Sequence, residues 1–79
     1  MMFYLLRDRT LIQVADSPER IISEVNKALA NFRTYGGLNF REEGELFVAY
    51  YGNMQTNLFI DMDGPESREA FLAVTQKNF

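Results

Sequence analysis

Apolar and polar positions along this chain follow two alternating periods. Residues 2–7 and 10–15 are runs of strand formers broken by Asp8-Arg9. Two such runs joined by two polar residues predict an antiparallel hairpin. From Ile21 the period changes. Ile21, Ile22, Val25, Ala28, Leu29 and Phe32 recur at helical spacing, with Arg20, Glu24, Lys27 and Asn31 off the stripe. Tyr35-Gly36-Gly37 stops this helix, which is expected over 17–33. Leu38–Glu42, Glu45–Tyr51 and Met54–Met62 return to a strand pattern. Glu43-Gly44 and Gly52-Asn53 separate them at two-residue hairpin length. A last helix is expected from 65 to Asn78, with Ala70, Phe71 and Val74 inward and Leu72 and Phe79 at an edge.

Both helices begin with the same phrase. Asp16-Ser17-Pro18-Glu19 and Asp63-Gly64-Pro65-Glu66 each follow an apolar strand. A proline in the first turn behind a capping side chain is a helix start. At the first start, either Ser17 caps the helix or Asp16 and Glu19 form a capping box. At the second, Asp63 is the expected cap. The element order is ββαβββα over a single compact domain, residues 1–79. The fold class is α+β, an antiparallel sheet with both helices packed on one face.

Two-residue turns imply a register. Tyr51 then pairs with Met54, Ala49 with Thr56 and Phe47 with Leu58. Across the other turn, Phe40 pairs with Phe47 and Leu38 with Ala49. Paired residues share a face. One face holds Leu38, Phe40, Phe47, Ala49, Tyr51, Met54, Thr56, Leu58, Ile60 and Met62, a floor for the helices. The other holds Asn39, Arg41, Leu46, Val48, Tyr50, Gln55, Asn57, Phe59 and Asp61. In the N-terminal hairpin, Phe3, Leu5, Ile12 and Val14 are expected on one face and Tyr4, Leu6, Leu11 and Gln13 on the other. A solvated face would be polar throughout. Leu46, Val48, Tyr50 and Phe59 are not, and two helices cannot cover both sides. An apolar patch with a polar rim marks an interface. The expected contact residues are Arg41, Leu46, Val48, Tyr50, Phe59 and Asp61, joined by Tyr4, Leu6 and Leu11.

Composition narrows the chemistry. Nearly half of the 79 residues are hydrophobic, and Phe (7) and Tyr (4) dominate the aromatics, so the chain is globular in kind. A core this small favours self-association. There is no cysteine, which excludes disulfides, thiolate metal sites and thiol nucleophiles. It also favours a reducing cell interior, and a cytoplasmic location is expected. There is no histidine, which removes the commonest general base and metal ligand. With 8 basic and 11 acidic residues, the net charge of −3 disfavours nucleic acid as the partner. The N-terminal apolar run lacks a basic start and a small-residue cleavage site, so it does not read as a signal peptide. No run approaches spanning length, and no membrane partner is expected.

Candidate reactive groups have plainer roles. Asp61 and Asp63 share a strand face and could hold a hard cation, but two carboxylates without further ligands are a weak site. Helix capping and a solvated strand end account for them. Ser17, Ser23 and Ser67 have no histidine to activate them. Gly36-Gly37 lacks phosphate-loop spacing. The expectation is no catalysis, no metal and no cofactor. Tyr4, Tyr50 and Phe59 on an open sheet, with Arg7, Arg9, Arg33 and Arg41, make base stacking the alternative function. The α-β-β-β-α run from Ser17 onward resembles the element order of a double-stranded-RNA-binding domain. Those domains carry a basic cluster at the start of the second helix. This chain has Glu66-Ser67-Arg68-Glu69 there, so the resemblance stops at topology. The function expected is a small non-catalytic interaction module, an inhibitor, adaptor or regulator. It is expected to dock on a protein partner, a second copy, or both.

Overall fold

The computed structural model describes residues 1–76; the expected end of the last helix at Asn78 and the packing of Phe79 lie outside them. Five strands form one antiparallel sheet: β1 (Phe3–Arg7), β2 (Thr10–Ala15), β3 (Leu38–Glu43), β4 (Leu46–Tyr51) and β5 (Met54–Met62). Their order is β2-β1-β5-β4-β3. The two hairpin units therefore join where β1 lies antiparallel to β5, with Phe3 opposite Met62 and Leu5 opposite Ile60. Helices α1 (Pro18–Ala28) and α2 (Pro65–Gln76) cover one face, as the sequence predicts.

Ser17 is the N-cap of α1, and its Oγ accepts from the Arg20 N–H at 3.2 Å. Pro18 follows in the first turn. Asp16 instead makes an exposed ion pair with Arg20 at 3.6 Å. Ile21, Val25 and Leu29 point into the core at four-residue spacing. The helix stops earlier than expected. It ends at Ala28, and a tighter 3₁₀ turn takes over Ala30–Tyr35. Asn31, Phe32, Thr34 and Tyr35 are poor helix formers, and 3₁₀ geometry is a common way to finish.

The inward stripe of α2 is also not the one expected. Ser67, Phe71 and Thr75 are its buried residues, while Ala70, Leu72 and Val74 are half-buried. The two hydroxyls satisfy themselves locally. Ser67 donates to the Asp63 carboxylate, and Thr75 donates to the Phe71 carbonyl at 2.9 Å. Asp63 thus anchors the helix start through a side chain. The Ser67 hydroxyl, followed by the Met2 backbone, holds its carboxyl below the usual range. Phe71 is the hub of the core. Its ring lies 4.9 Å from Phe47, 5.1 Å from Phe40 and 6.3 Å from Phe3.

All three hairpin turns have a left-handed first residue: Asp8 (φ 56°), Gly44 (φ 61°) and Gly52 (φ 59°). A turn with positive φ only at its first central position wants glycine there. Gly44 therefore leads the β3–β4 turn, and the turn residues are Gly44-Glu45, not Glu43-Gly44. Leu38 pairs with Tyr51 and Phe40 with Ala49 as a result. Each partner moves by two residues, so every side chain keeps its expected face.

The β4–β5 pairing also slips by two. Tyr51 faces Met54 as expected, but Phe47 faces Ile60 rather than Leu58. The extra length on β5 is absorbed at Thr56. Its buried hydroxyl donates to the Ala49 carbonyl at 2.7 Å and accepts the Leu58 N–H at 3.2 Å. A side chain thereby replaces the interrupted ladder.

The N-terminal hairpin is a true correction. Arg7 pairs with Thr10 and Leu6 with Leu11, but then a bulge leaves Ile12 unpaired. Beyond it, Phe3 faces Ala15, Tyr4 faces Val14 and Leu5 faces Gln13. One inserted residue exchanges the faces of a strand. Val14 therefore does not join Phe3 and Leu5; it joins Tyr4.

Two glycines close the far end of the molecule. Gly36 (φ 137°) and Gly52 bring their backbones together, and the Gly52 N–H donates to the Gly37 carbonyl at 2.9 Å. A Cβ on Gly36 would sit 2.8 Å from the Gly52 Cα, and one on Gly52 would collide with the Tyr35 carbonyl oxygen.

Candidate functional site

The helix-free face is assembled by cross-strand pairing. Leu11 faces Leu6, Leu6 faces Phe59, Phe59 faces Val48 and Val48 faces Arg41. One row thus crosses all five strands and is apolar until its last member. A second row begins with Val14, Tyr4 and Asp61. A third is Asn39, Tyr50 and Gln55. All nine residues expected at the interface lie on this face: Tyr4, Leu6, Leu11, Arg41, Leu46, Val48, Tyr50, Phe59 and Asp61. The sequence reading missed Val14 because the bulge is what turns it there. The adjacent apolar pair Leu11-Ile12, which breaks strict alternation, is the signal that marks the bulge.

Burial along the row is uneven. Val48 is 1% exposed although no helix covers it, and it lies outside the main core cluster. Its cover is the surrounding side chains of its own face. Tyr4, Leu6, Leu46, Tyr50, Phe59 and Asp61 are half-buried. Leu11 and Val14 are 52% and 43% exposed. The face is therefore a small apolar platform, packed at Val48 and open toward β2. A shallow depression of about 270 Å³ is lined by Leu46 and Phe59, with Asp8 and Arg9 at its edge.

The rim near the β4–β5 turn is polar and held in place. The Arg41 guanidinium lies 3.9 Å above the Tyr50 ring. It donates to Asn53 Oδ1 at 3.1 Å and to the Gly52 carbonyl at 3.4 Å. Asn39 donates to the same carbonyl at 3.0 Å. The Tyr50 hydroxyl donates to Gln55 Oε1 at 2.9 Å. Stacking of this kind desolvates one side of the ring and fixes its plane. Arg41 and Tyr50 are thus already engaged with each other and with the turn.

The other arginines are not gathered beside them. Arg7 faces Leu58 across the ladder, Arg9 sits in the first turn and Arg33 lies in the 3₁₀ turn. Asp61 and Asp63 do not form a pair of free carboxylates. Asp61 accepts the Met62 N–H at 2.8 Å, and Asp63 accepts from Ser67. Among the described residues no three acidic side chains converge on a point that could hold a metal ion. Ser17 and Ser67 are both occupied at helix starts. The acidic residues around the β3–β4 turn are exposed. Glu42 lies within β3 and pairs with Arg68 of α2 at 2.6 Å, while that arginine stacks 4.9 Å from Phe47.

The buried Tyr51 shows how the core side differs. Its hydroxyl donates to Asn26 Oδ1 at 2.8 Å, beneath α1. Burial pushes its phenol above the ordinary value, partly offset by Arg33. Among the described residues no helix is long and apolar enough to cross a membrane. No family model matches this chain, and no curated protein or solved structure is significantly similar to it.

Proposed function

We propose that this protein is a non-catalytic interaction module that docks on another protein through the helix-free face of its sheet. The carrying observation is the row Leu11–Leu6–Phe59–Val48–Arg41, which spans every strand with no covering helix among the described residues. Phe59 and Tyr50 supply rigid contact area with few rotors, and the row ends on an arginine stacked on Tyr50. Aromatics and arginine at the centre of a desolvated patch are the usual anchors of a protein interface. The partner that fits offers an apolar projection for the depression between Leu46 and Phe59, with polar groups to meet Arg41 and Asp61. The reading places the module inside the cell as an inhibitor, adaptor or regulator. The cysteine-free sequence supports that compartment.

The test is capture with the immobilised protein from its native host, in parallel with Phe59→Asp. A stoichiometric partner held by the parent and lost in the variant is expected, with the variant still folded by circular dichroism and its melt lowered only by the loss of a half-buried ring. Identical captures by both proteins refute the reading. A salt-dependent shift of labelled nucleic acid, with no protein partner, would install base stacking in its place.

A further inference from the structure

We propose that β2 is a pairing edge whose occupant is β2 of a second copy of this chain, joined antiparallel about a two-fold axis. The strands β2 and β3 are the two ends of the sheet. These edges differ in kind. β3 finishes in Arg41, Glu42 and Glu43, charges that discourage strand addition. β2 carries no charge between Thr10 and Ala15, and Leu11, Ile12 and Val14 are all exposed.

The hydrogen bonding says which backbone groups are free. The Asp8 N–H donates to the Asn57 carbonyl at 2.8 Å, and the Asp63 N–H donates to the Met2 carbonyl at 3.3 Å. In an antiparallel ladder, alternate residues bond to opposite neighbours. The even-numbered residues of β1 therefore bond β5, and Phe3, Leu5 and Arg7 bond β2. Their partners Ala15, Gln13 and Thr10 face β1. The backbone groups of Leu11 and Val14, on either side of the bulge, turn to the open edge. Free N–H and C=O groups in the plane of a sheet select an extended strand.

Charge selects the copy and its direction. Arg9 and Asp16 bracket the uncharged strand. Antiparallel self-pairing sets Arg9 of each copy toward Asp16 of the other, whereas parallel pairing sets like on like. Among the described residues Asp16 holds only a long, exposed pair to Arg20. The arrangement is isologous and closes as a dimer. Leu11 and Val14 then continue the apolar row into the second copy. This goes beyond docking through the face, because the contact runs in the plane of the sheet and either one can fail without the other. The bulge keeps the ladder short, so association is weak.

Sedimentation velocity on the full chain, from about 1 μM to 1 mM, tests this. The mass should rise from one copy to two. Val14→Lys, and separately Val14→Pro, should raise the dissociation constant at least about tenfold with the circular-dichroism spectrum unchanged. Proline there removes only an N–H that β1 does not use. Arg9→Asp should weaken the dimer, and adding Asp16→Arg should restore it. A chain monomeric at about 1 mM overturns the proposal and leaves the docking face to its own test. A dimer lost in Phe59→Asp but kept in Val14→Lys also overturns it and moves the contact to the face. Failure of the double charge reversal to recover overturns the antiparallel pairing.

Discussion

The two faces of the sheet should respond very differently to loss of an aromatic ring. Phe71 is fully buried among Phe3, Phe40 and Phe47, with ring centroids 4.9–6.3 Å away. Phe71→Ala removes its transfer free energy and leaves a cavity among rings that cannot collapse freely. The expected loss is about 3–5 kcal/mol. Phe59 is half-buried on the opposite face, against Val48 and Leu6. Much of its ring already meets water, so Phe59→Ala should cost about 1–2 kcal/mol. A chain of 79 residues has about 4–12 kcal/mol of total stability. The first variant therefore approaches or reaches unfolding, while the second stays folded. Urea denaturation followed by circular dichroism measures both, and an unchanged m-value confirms that only stability moved. If Phe59→Ala loses as much as Phe71→Ala, the face is part of the monomer's core. The docking argument then fails at its first step.

Ser17→Ala should cost about 0.5–2 kcal/mol, because it removes the acceptor of the Arg20 N–H; Asp16→Ala, which breaks only an exposed pair, should cost less, and the reverse order in thermal melts would reassign the cap. Thr56→Val keeps the shape but strips partners from the buried Ala49 carbonyl and Leu58 N–H, with an expected loss of about 2–4 kcal/mol; an unchanged melting temperature would show that the hydroxyl does not replace the ladder. The raised Tyr51 phenol makes a signed pH prediction. Its contribution is fully present below the unfolded tyrosine value, about pH 10, and is lost as pH rises toward the higher folded value. The parent should therefore lose alkaline stability faster than Tyr51→Phe, and parallel alkaline melts would contradict the burial of that hydroxyl.

Much of this fold is legible in the chain because its signals are local. The phrase Ser17-Pro18 marks a helix start by capping chemistry, and it does so without help from the rest of the molecule. The faces of β3, β4 and β5 survive two errors of register because both slips are even. Leu46, Val48, Tyr50 and Phe59 therefore project where alternation puts them. What is not legible depends on a single inserted residue or on small polar groups. The bulge at Ile12 shifts its strand by one and carries Val14 to the open face. Ser67 and Thr75 are polar and so do not show in an apolar stripe, yet their hydroxyls bond within one helical turn and let them be buried. The strand order is a tertiary choice. Nothing local to Phe3–Arg7 says that it will lie beside Met54–Met62.

The contact between Gly36 and Gly52 governs where this chain can be altered in length. The β4–β5 turn is wedged against Tyr35 and Gly36, so neither Gly36 nor Gly52 can take a side chain without moving the other segment's backbone. The Gly52 carbonyl and Asn53 also hold Arg41 over Tyr50, so lengthening that turn would release the polar rim of the sheet face as well. Gly44, in the β3–β4 turn, has open space around it. Its φ of 61° still calls for glycine, so a fluorophore belongs on the exposed Glu45 beside it, where it reports on the molecule without unlatching its far end.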